Sequence, residues 1–204
     1  MKALLINGSP HEHGCTDTAL REVAKTLSEC GVEPEILWLG SGPVRDCIAC
    51  HACRKAKKCA FNDDIVNEII AKAAECDGFV FGTPVYYAHP SGRVLSVLDR
   101  VFFAGSKAFA HKPGAAVASA RRGGTTASLD VLNKYFTIAQ MPVVSSSYWN
   151  MVHGNSPEEV LQDAEGLQTM RNLGRNMAWL MQCIARSGLP APETERGAWT
   201  NFIR

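Results

Sequence analysis

A chain of 204 residues with 46% hydrophobic and 20% charged content is long enough to bury a full core and falls in the size range of one domain. Its 21 basic and 20 acidic side chains nearly cancel, which argues against nucleic acid or an anionic membrane as a partner. No stretch approaches the roughly 18 uninterrupted apolar residues of a membrane span, and Met1 to Asn7 is too short for a signal-peptide core, so the expected location is the cytoplasm.

Lys2 to Ile6 is an apolar run ending in the turn signal Asn7-Gly8-Ser9-Pro10. Thr16 to Cys30 follows with helical spacing of Leu20, Val23, Ala24 and Leu27, closed by Gly31. Glu33 to Leu39 predicts a second strand and Asp64 to Glu75 a second helix, separated by a Gly- and Cys-rich loop. The pattern repeats as strand Gly78 to Gly82 with helix Ser91 to Phe103, then strand Ala115 to Ala120 with helix Thr125 to Ala139. Pro142 to Ser145 predicts a fifth strand and Pro157 to Ser187 one long final helix. Five strands alternating with five helices argue for an α/β fold with a parallel sheet covered on both faces. Residues 1–187 are read as that domain, with a cysteine-rich insertion at 40–62, and residues 188–204, which include Trp199, as an extended tail.

Sheets of this class bind ligands at the carboxyl ends of their strands. The loop Gly8 to Thr16 lacks both the Gly-Lys-Ser/Thr ending of a nucleotide-triphosphate loop and Gly-x-Gly-x-x-Gly. Its small and hydroxyl residues before a helix N-terminus suit a single terminal phosphate, the alternative being that Ser9 and Thr16 merely cap the helix. Thr83 to Gly92 carries two prolines with Tyr86 and Tyr87 where a flat ring could rest, and Ser119 to Thr126 places Arg121, Arg122, Gly123 and Gly124 where charge would meet the edge of a reduced flavin. His89 reads equally as a surface residue or a substrate contact, and Trp149 as a contact to the flavin pocket or a partner subunit or as a lid on the core.

A reducing compartment directs the eight cysteines toward metal, cluster or redox roles rather than disulfides. Cys47, Cys50 and Cys53 at two-residue intervals, with Cys59 five residues on, match the demand of a [4Fe-4S] centre for four thiolates around one compact cluster. Zinc and metal-free cysteines remain alternatives. Cys15, Cys30, Cys76 and Cys183 are expected to be small buried hydrophobes. Arg54, Lys55, Lys57 and Lys58 could offset thiolate charge, meet an acidic redox partner or simply be solvated.

With Gly8-Ser9-Pro10, Thr16, Thr18, the four-cysteine spacing before Asp63-Asp64, Pro84-Val85-Tyr86 and Leu98-Asp99-Arg100, the chain resembles the NADPH-dependent FMN reductases of the flavodoxin-like superfamily, and among them the iron-sulfur flavoproteins. The resemblance implies a doubly wound five-stranded parallel sheet of order 2-1-3-4-5. It implies FMN held by Ser9, Pro10, His11, Gly14, Cys15, Thr16, Thr18, Pro84, Val85, Tyr86, Tyr87, Ser119, Arg121, Arg122, Gly123 and Gly124. A [4Fe-4S] cluster on Cys47, Cys50, Cys53 and Cys59, NAD(P)H as substrate, and a homodimer or homotetramer complete what it implies. Electrons would pass from NAD(P)H or a redox carrier protein to a small-molecule acceptor, the alternatives being a cluster-free FMN or quinone reductase and an electron-carrier flavoprotein without turnover of its own. His11 stands where many relatives carry Arg, which makes charge compensation of a phosphate weaker and pH dependent.

Overall fold

Alternation along β1 (Lys2–Asn7) sends Ala3 and Leu5 into one apolar core and Leu4 and Ile6 into another, all four fully buried, as a central strand covered on both faces requires. The computed structural model describes residues 1–198 together with Thr200 and Phe202, so Trp199 lies outside the described residues. On either side of β1 run β2 (Glu33–Trp38) and β3 (Gly78–Tyr86), both parallel to it. β5 (Gly114–Ala120) pairs parallel with β3, and β6 (Met151–His153) with β5. The path is β2-β1-β3-β5-β6, which is the expected order of five parallel strands once the two-residue β4 (His89–Pro90), antiparallel to the end of β3, is set aside.

One face is covered by α1 (Cys15–Glu29) and α7 (Ala164–Ser187), whose Leu20, Val23, Leu27, Leu173, Met177 and Met181 pack on Leu5 and Val80. The other is covered by α3 (Val66–Glu75), α4 (Gly92–Gly105) and α5 (Thr125–Ile138). There Phe81 stacks on Phe136 at 5.1 Å and meets Phe102 edge-on at 6.0 Å, so aromatic packing fastens α4 and α5 to the sheet.

Three expectations are corrected. The fifth strand is Met151–His153, not Pro142 to Ser145. Val143 makes a single bridge to Gly114 at the start of β5, and the chain then leaves the sheet until Met151 rejoins it opposite Ala118. Pro142 has no N–H to continue a ladder, and the Ser146 hydroxyl instead ties the excursion together through Asn150 Oδ1 at 2.7 Å. Secondly, the supposed loop after Gly82 is strand as far as Tyr86. A tight turn at Tyr87-Ala88, both at positive φ (50° and 59°), then returns the chain as β4. The last helix is broken into α6 (Pro157–Val160) and α7 because Asp163 caps the second piece, its carboxylate accepting from Gly166 N at 2.9 Å and from His153 N at 2.7 Å. A single turn, α2 (Cys53–Ala56), lies within the cysteine loop. Residues 189–198 form neither helix nor strand.

Candidate functional site

At the carboxyl ends of β1, β3, β5 and β6 the structure opens a cleft of about 530 Å³, within the range of small-molecule sites. Its lining comes from four segments: Ser9 to Thr16 after β1, Pro84 to Tyr86 at the end of β3, Ser119 to Arg121 at the end of β5, and Gly154 to Pro157 after β6.

The first segment is held by its own polar groups. Asn7 Oδ1 accepts from Ser9 N at 3.1 Å and Asn7 Nδ2 donates to the Glu12 carbonyl at 2.9 Å, which folds the loop back across the strand end. Trp38 Nε1 donates to the Ser9 carbonyl at 2.8 Å and anchors the loop to β2. The capping alternative does not occur. Gly14 is the N-cap of α1 and makes no side-chain cap, Ser9 Oγ accepts from His11 N at 3.1 Å, and Thr16 Oγ1 shares a hydrogen bond with Ser119 Oγ at 2.8 Å. The first-turn amides of α1 therefore face the cleft mouth without a side-chain acceptor, the arrangement that suits an anion. The acidic residue of that turn, Asp17, is engaged by Arg21 Nε at 2.6 Å and by His13 Nδ1 at 3.4 Å.

Of the residues expected to hold a cofactor, Ser9, His11, Gly14, Cys15, Thr16, Pro84, Val85, Tyr86, Ser119 and Arg121 are brought together around this cleft. Pro10, Thr18, Tyr87, Arg122, Gly123 and Gly124 are not among its lining. The Thr18 hydroxyl turns back to the Gly14 carbonyl at 3.2 Å. Tyr87 stands fully exposed at the hairpin tip, and Gly124, at φ 100°, packs so closely that a Cβ there would lie 2.6 Å from Ala88 Cα. Trp149 does not line the cleft either and stacks edge-on against Tyr148 at 4.8 Å.

His13 and the whole Gly154 to Pro157 wall were missed. The wall follows β6, which starts at Met151 and not at the expected Pro142. Its signal was present in Ser156-Pro157-Glu158-Glu159: Ser156 Oγ accepts from Glu159 N at 3.4 Å as a helix N-cap with proline in the first turn. Cys15 donates weakly to the Gly154 carbonyl at 3.7 Å and ties the two walls together. Burial pushes the Cys15 thiol above its usual range, with Glu159 and Glu158 adding to the effect.

Cys47, Cys50, Cys53 and Cys59 line a second, apolar pocket together with Phe61, Arg100 and Phe103. No three metal-binding side chains converge on a single-ion site among the described residues. Arg100, only 2% exposed, pairs with the Asp64 carboxylate through two nitrogens, donates from Nη1 to the Arg45 carbonyl at 3.2 Å and from Nε to Cys59 Sγ at 3.2 Å. Arg54, Lys55, Lys57 and Lys58 are exposed. Of the isolated cysteines only Cys76 is buried; Cys15 and Cys30 are half-buried and Cys183 is exposed, contrary to expectation.

The family model for NADPH-dependent FMN reductase matches residues 1–156, which contain all four cleft segments except Pro157. The chain belongs to that family. This FMN reductase family member is 33% identical over 198 residues to an iron-sulfur flavoprotein of Methanocaldococcus jannaschii, a match covering 91% of the chain and 100% of the relative. RosB, solved with bound 8-demethyl-8-formylriboflavin-5'-phosphate, superposes with a TM-score of 0.72 at 14% identity over 100% of this chain and 94% of its own. An archaeal flavodoxin superposes with a TM-score of 0.61 at 14% identity over 89% of this chain and 99% of its own, so the fold is flavodoxin-like.

The family member is thus an FMN-dependent flavin oxidoreductase that uses NAD(P)H. Its cleft fits FMN: one side offers uncapped α1 amides with Ser9 and Thr16, which suit a phosphate, and another is walled by Pro84, Val85 and Tyr86. The cysteine pocket fits a four-iron cluster in donor chemistry, because such a cluster takes one thiolate at each of four corners and needs no convergence on one ion. The pocket is narrow, with a cavity of about 20 Å³.

Proposed function

We propose that this FMN reductase family member passes electrons from NAD(P)H or an acidic electron-carrier protein to a small acceptor, with FMN in the cleft and a [4Fe-4S] cluster on Cys47, Cys50, Cys53 and Cys59. The observation that carries the cluster is that all four thiols line one pocket although Cys59 is separated from the others by a helical turn. The name of the Methanocaldococcus jannaschii relative supports the same reading. No helix among the described residues is long and apolar enough to cross a membrane. We place the protein in the cytoplasm, where four free thiols stay reduced. A homodimer or homotetramer is the assembly we favour, with the exposed Tyr148, Trp149 and Trp179 available for subunit contact.

Bound FMN supplies the exchange between two-electron and one-electron chemistry. The chain supplies position and charge. Ser9, Thr16 and the first amides of α1 hold the phosphate end, while Pro84 and Val85 form a rigid wall that keeps the ring from sliding. Arg121, at the end of β5, brings a positive charge to the same cleft, which favours the more negative, reduced state of the flavin. His11 lines the phosphate end and contributes charge only when protonated.

A second reading, a cluster-free FMN or quinone reductase, is favoured by the narrowness of the cysteine pocket, about 20 Å³. Anaerobic purification with a visible spectrum, iron and acid-labile sulfide analysis separates the two. About four iron and four sulfide per FMN is the expected result, and iron near zero after reconstitution selects the second reading. Steady-state NAD(P)H oxidation with quinone, flavin and ferric acceptors tests turnover. Flavin reduction by a carrier protein without any nicotinamide oxidation would assign the donor to the carrier.

A further inference from the structure

Cys59 is held unlike the other three cysteines. Its backbone N–H donates to Asn67 Oδ1 at 2.8 Å and its carbonyl accepts from Asn67 Nδ2 at 3.1 Å, so a side chain of α3 grips it on both sides. Its sulfur accepts from Arg100 Nε of α4 at 3.2 Å. Among the described residues, Cys47 and Cys50 make no side-chain hydrogen bond, and Cys53 reaches only the Phe103 carbonyl at 3.8 Å. Ala49 and His51, between these three, adopt left-handed φ of 51° and 57°, and the segment has no regular structure before α2. One thiol is thus fixed to two helices of the body, while three ride on an irregular loop.

Arg100 is built for a directed contact. Its guanidinium is 2% exposed, lies 5.1 Å from the centre of the Phe61 ring, and spends its remaining donors on Asp64 and the Arg45 carbonyl. Asp64 offsets most of its long-range charge, so what reaches the sulfur is chiefly one short N–H···S bond in a dry pocket. The neighbouring Arg54 and Lys57 are exposed, and salt screens their effect.

We propose that Arg100 is a positioning residue for the cysteine centre: it fixes Cys59 as the one preset ligand, and its Nε–H raises the reduction potential of the cluster bound there. This rests on the cluster reading above. Adding one electron makes the cluster and its thiolates one charge more negative, and a donor fixed on a ligating sulfur stabilises that more negative state.

The test uses the full-length protein purified anaerobically, with wild type, Arg100→Lys and Asp64→Asn compared. Cluster potential is read by mediated redox titration with electron paramagnetic resonance, flavin potential by absorbance, and cluster retention by the rate of iron loss to a chelator. Arg100→Lys is expected to lower the cluster potential and speed iron loss several-fold, with FMN content and flavin potential at wild-type values. Asp64→Asn keeps the Nε–H but removes the charge that offsets the guanidinium, and is expected to raise the cluster potential, opposite in sign to Arg100→Lys. A downward shift in both variants assigns the effect to the ion pair alone and overturns the proposal, as does an Arg100→Lys protein indistinguishable from wild type.

The wild type also provides a measurement that needs no variant. Its reduced cluster should show a coupled exchangeable proton that persists for hours in deuterated buffer because Arg100 is buried, and its absence overturns the proposal. Wild type that holds no iron overturns the cluster reading and this inference with it. Iron-replete wild type with an unaffected Arg100→Lys overturns the inference alone.

Discussion

Replacing Gly8 by alanine tests whether the phosphate loop owes its position to a close approach that only glycine permits. The Gly8 N–H donates to the Gly82 carbonyl at 2.9 Å, and its own carbonyl accepts from Ser91 Oγ at 2.8 Å, which pins it between β3 and the N-cap of α4. A methyl group there would lie 2.8 Å from the Gly82 carbonyl oxygen and 2.8 Å from Val94 Cβ, whereas ordinary contact begins at 3.4 Å. Neither neighbour can yield, since one is strand backbone and Val94 is fully buried. The loop must therefore move by roughly half an ångström, the scale on which packing contacts are lost. Overpacking of this kind costs about 1–3 kcal/mol, and a weakened Gly8–Gly82 hydrogen bond adds about 1 kcal/mol. At about 2–4 °C per kcal/mol for a chain of this size, the melting temperature should fall by about 4–16 °C. Ser9 follows directly, so FMN affinity should fall by about tenfold, equivalent to 1.4 kcal/mol. The assays are thermal melting of the apoprotein and flavin-fluorescence quenching. Gly92→Ala is the control, because a Cβ there meets nothing within 4 Å and the position opens α4. Wild-type melting and FMN affinity in Gly8→Ala, or an equal loss in Gly92→Ala, would refute the reasoning.

Phe81→Ala should cost about 3–5 kcal/mol in urea unfolding, since it removes a fully buried ring stacked on Phe136. Thr16→Val should leave the buried Ser119 hydroxyl without its partner, costing about 1–3 kcal/mol of stability and weakening FMN binding; unchanged values in both measurements would exclude a role for this pair. Burial and then the hydrogen bond to Asp99 push the Tyr135 phenol well above its usual range. The folded state therefore holds this proton more tightly than the unfolded state, and the stabilisation is present below the phenol's ordinary pKa of about 10 and lost as pH rises beyond it. Tyr135→Phe should flatten that alkaline decline, and a decline as steep as wild type in pH-dependent denaturation would contradict the assignment.

Much of the fold was readable because its parts are local. The alternation of Ala3, Leu4, Leu5 and Ile6, the helical spacing of Leu20, Val23 and Leu27, and Gly31 as a helix stop each act within a few residues, so each survives reading without context. The last third was less legible. Pro142-Val143-Val144 has the composition of a strand, yet its neighbour β5 accepts it at one bridge only, and the second half of that sheet position is filled by Met151–His153, whose three residues carry too weak a pattern to stand alone. Asp163 breaks the final helix because its carboxylate finds the His153 amide, a partner ten residues distant that spacing does not reveal. The same error hid the Gly154 to Pro157 wall of the cleft.

The sequence by itself determined the main alternation of strands and helices as far as α5, the small-residue loop at Gly8 to Thr16 and the four-cysteine set, because turn chemistry, apolar period and ligand spacing are properties of neighbouring residues. Only the tertiary structure decided which residues share the cleft: Thr16 with Ser119, Cys15 with Gly154, and Arg121 in place of Arg122. It also singled out Cys59, through Asn67 of α3 and Arg100 of α4, from three cysteines of identical spacing logic. Such pairings depend on crossover connections that bring distant strand ends to one edge, and no local pattern encodes the register in which they meet.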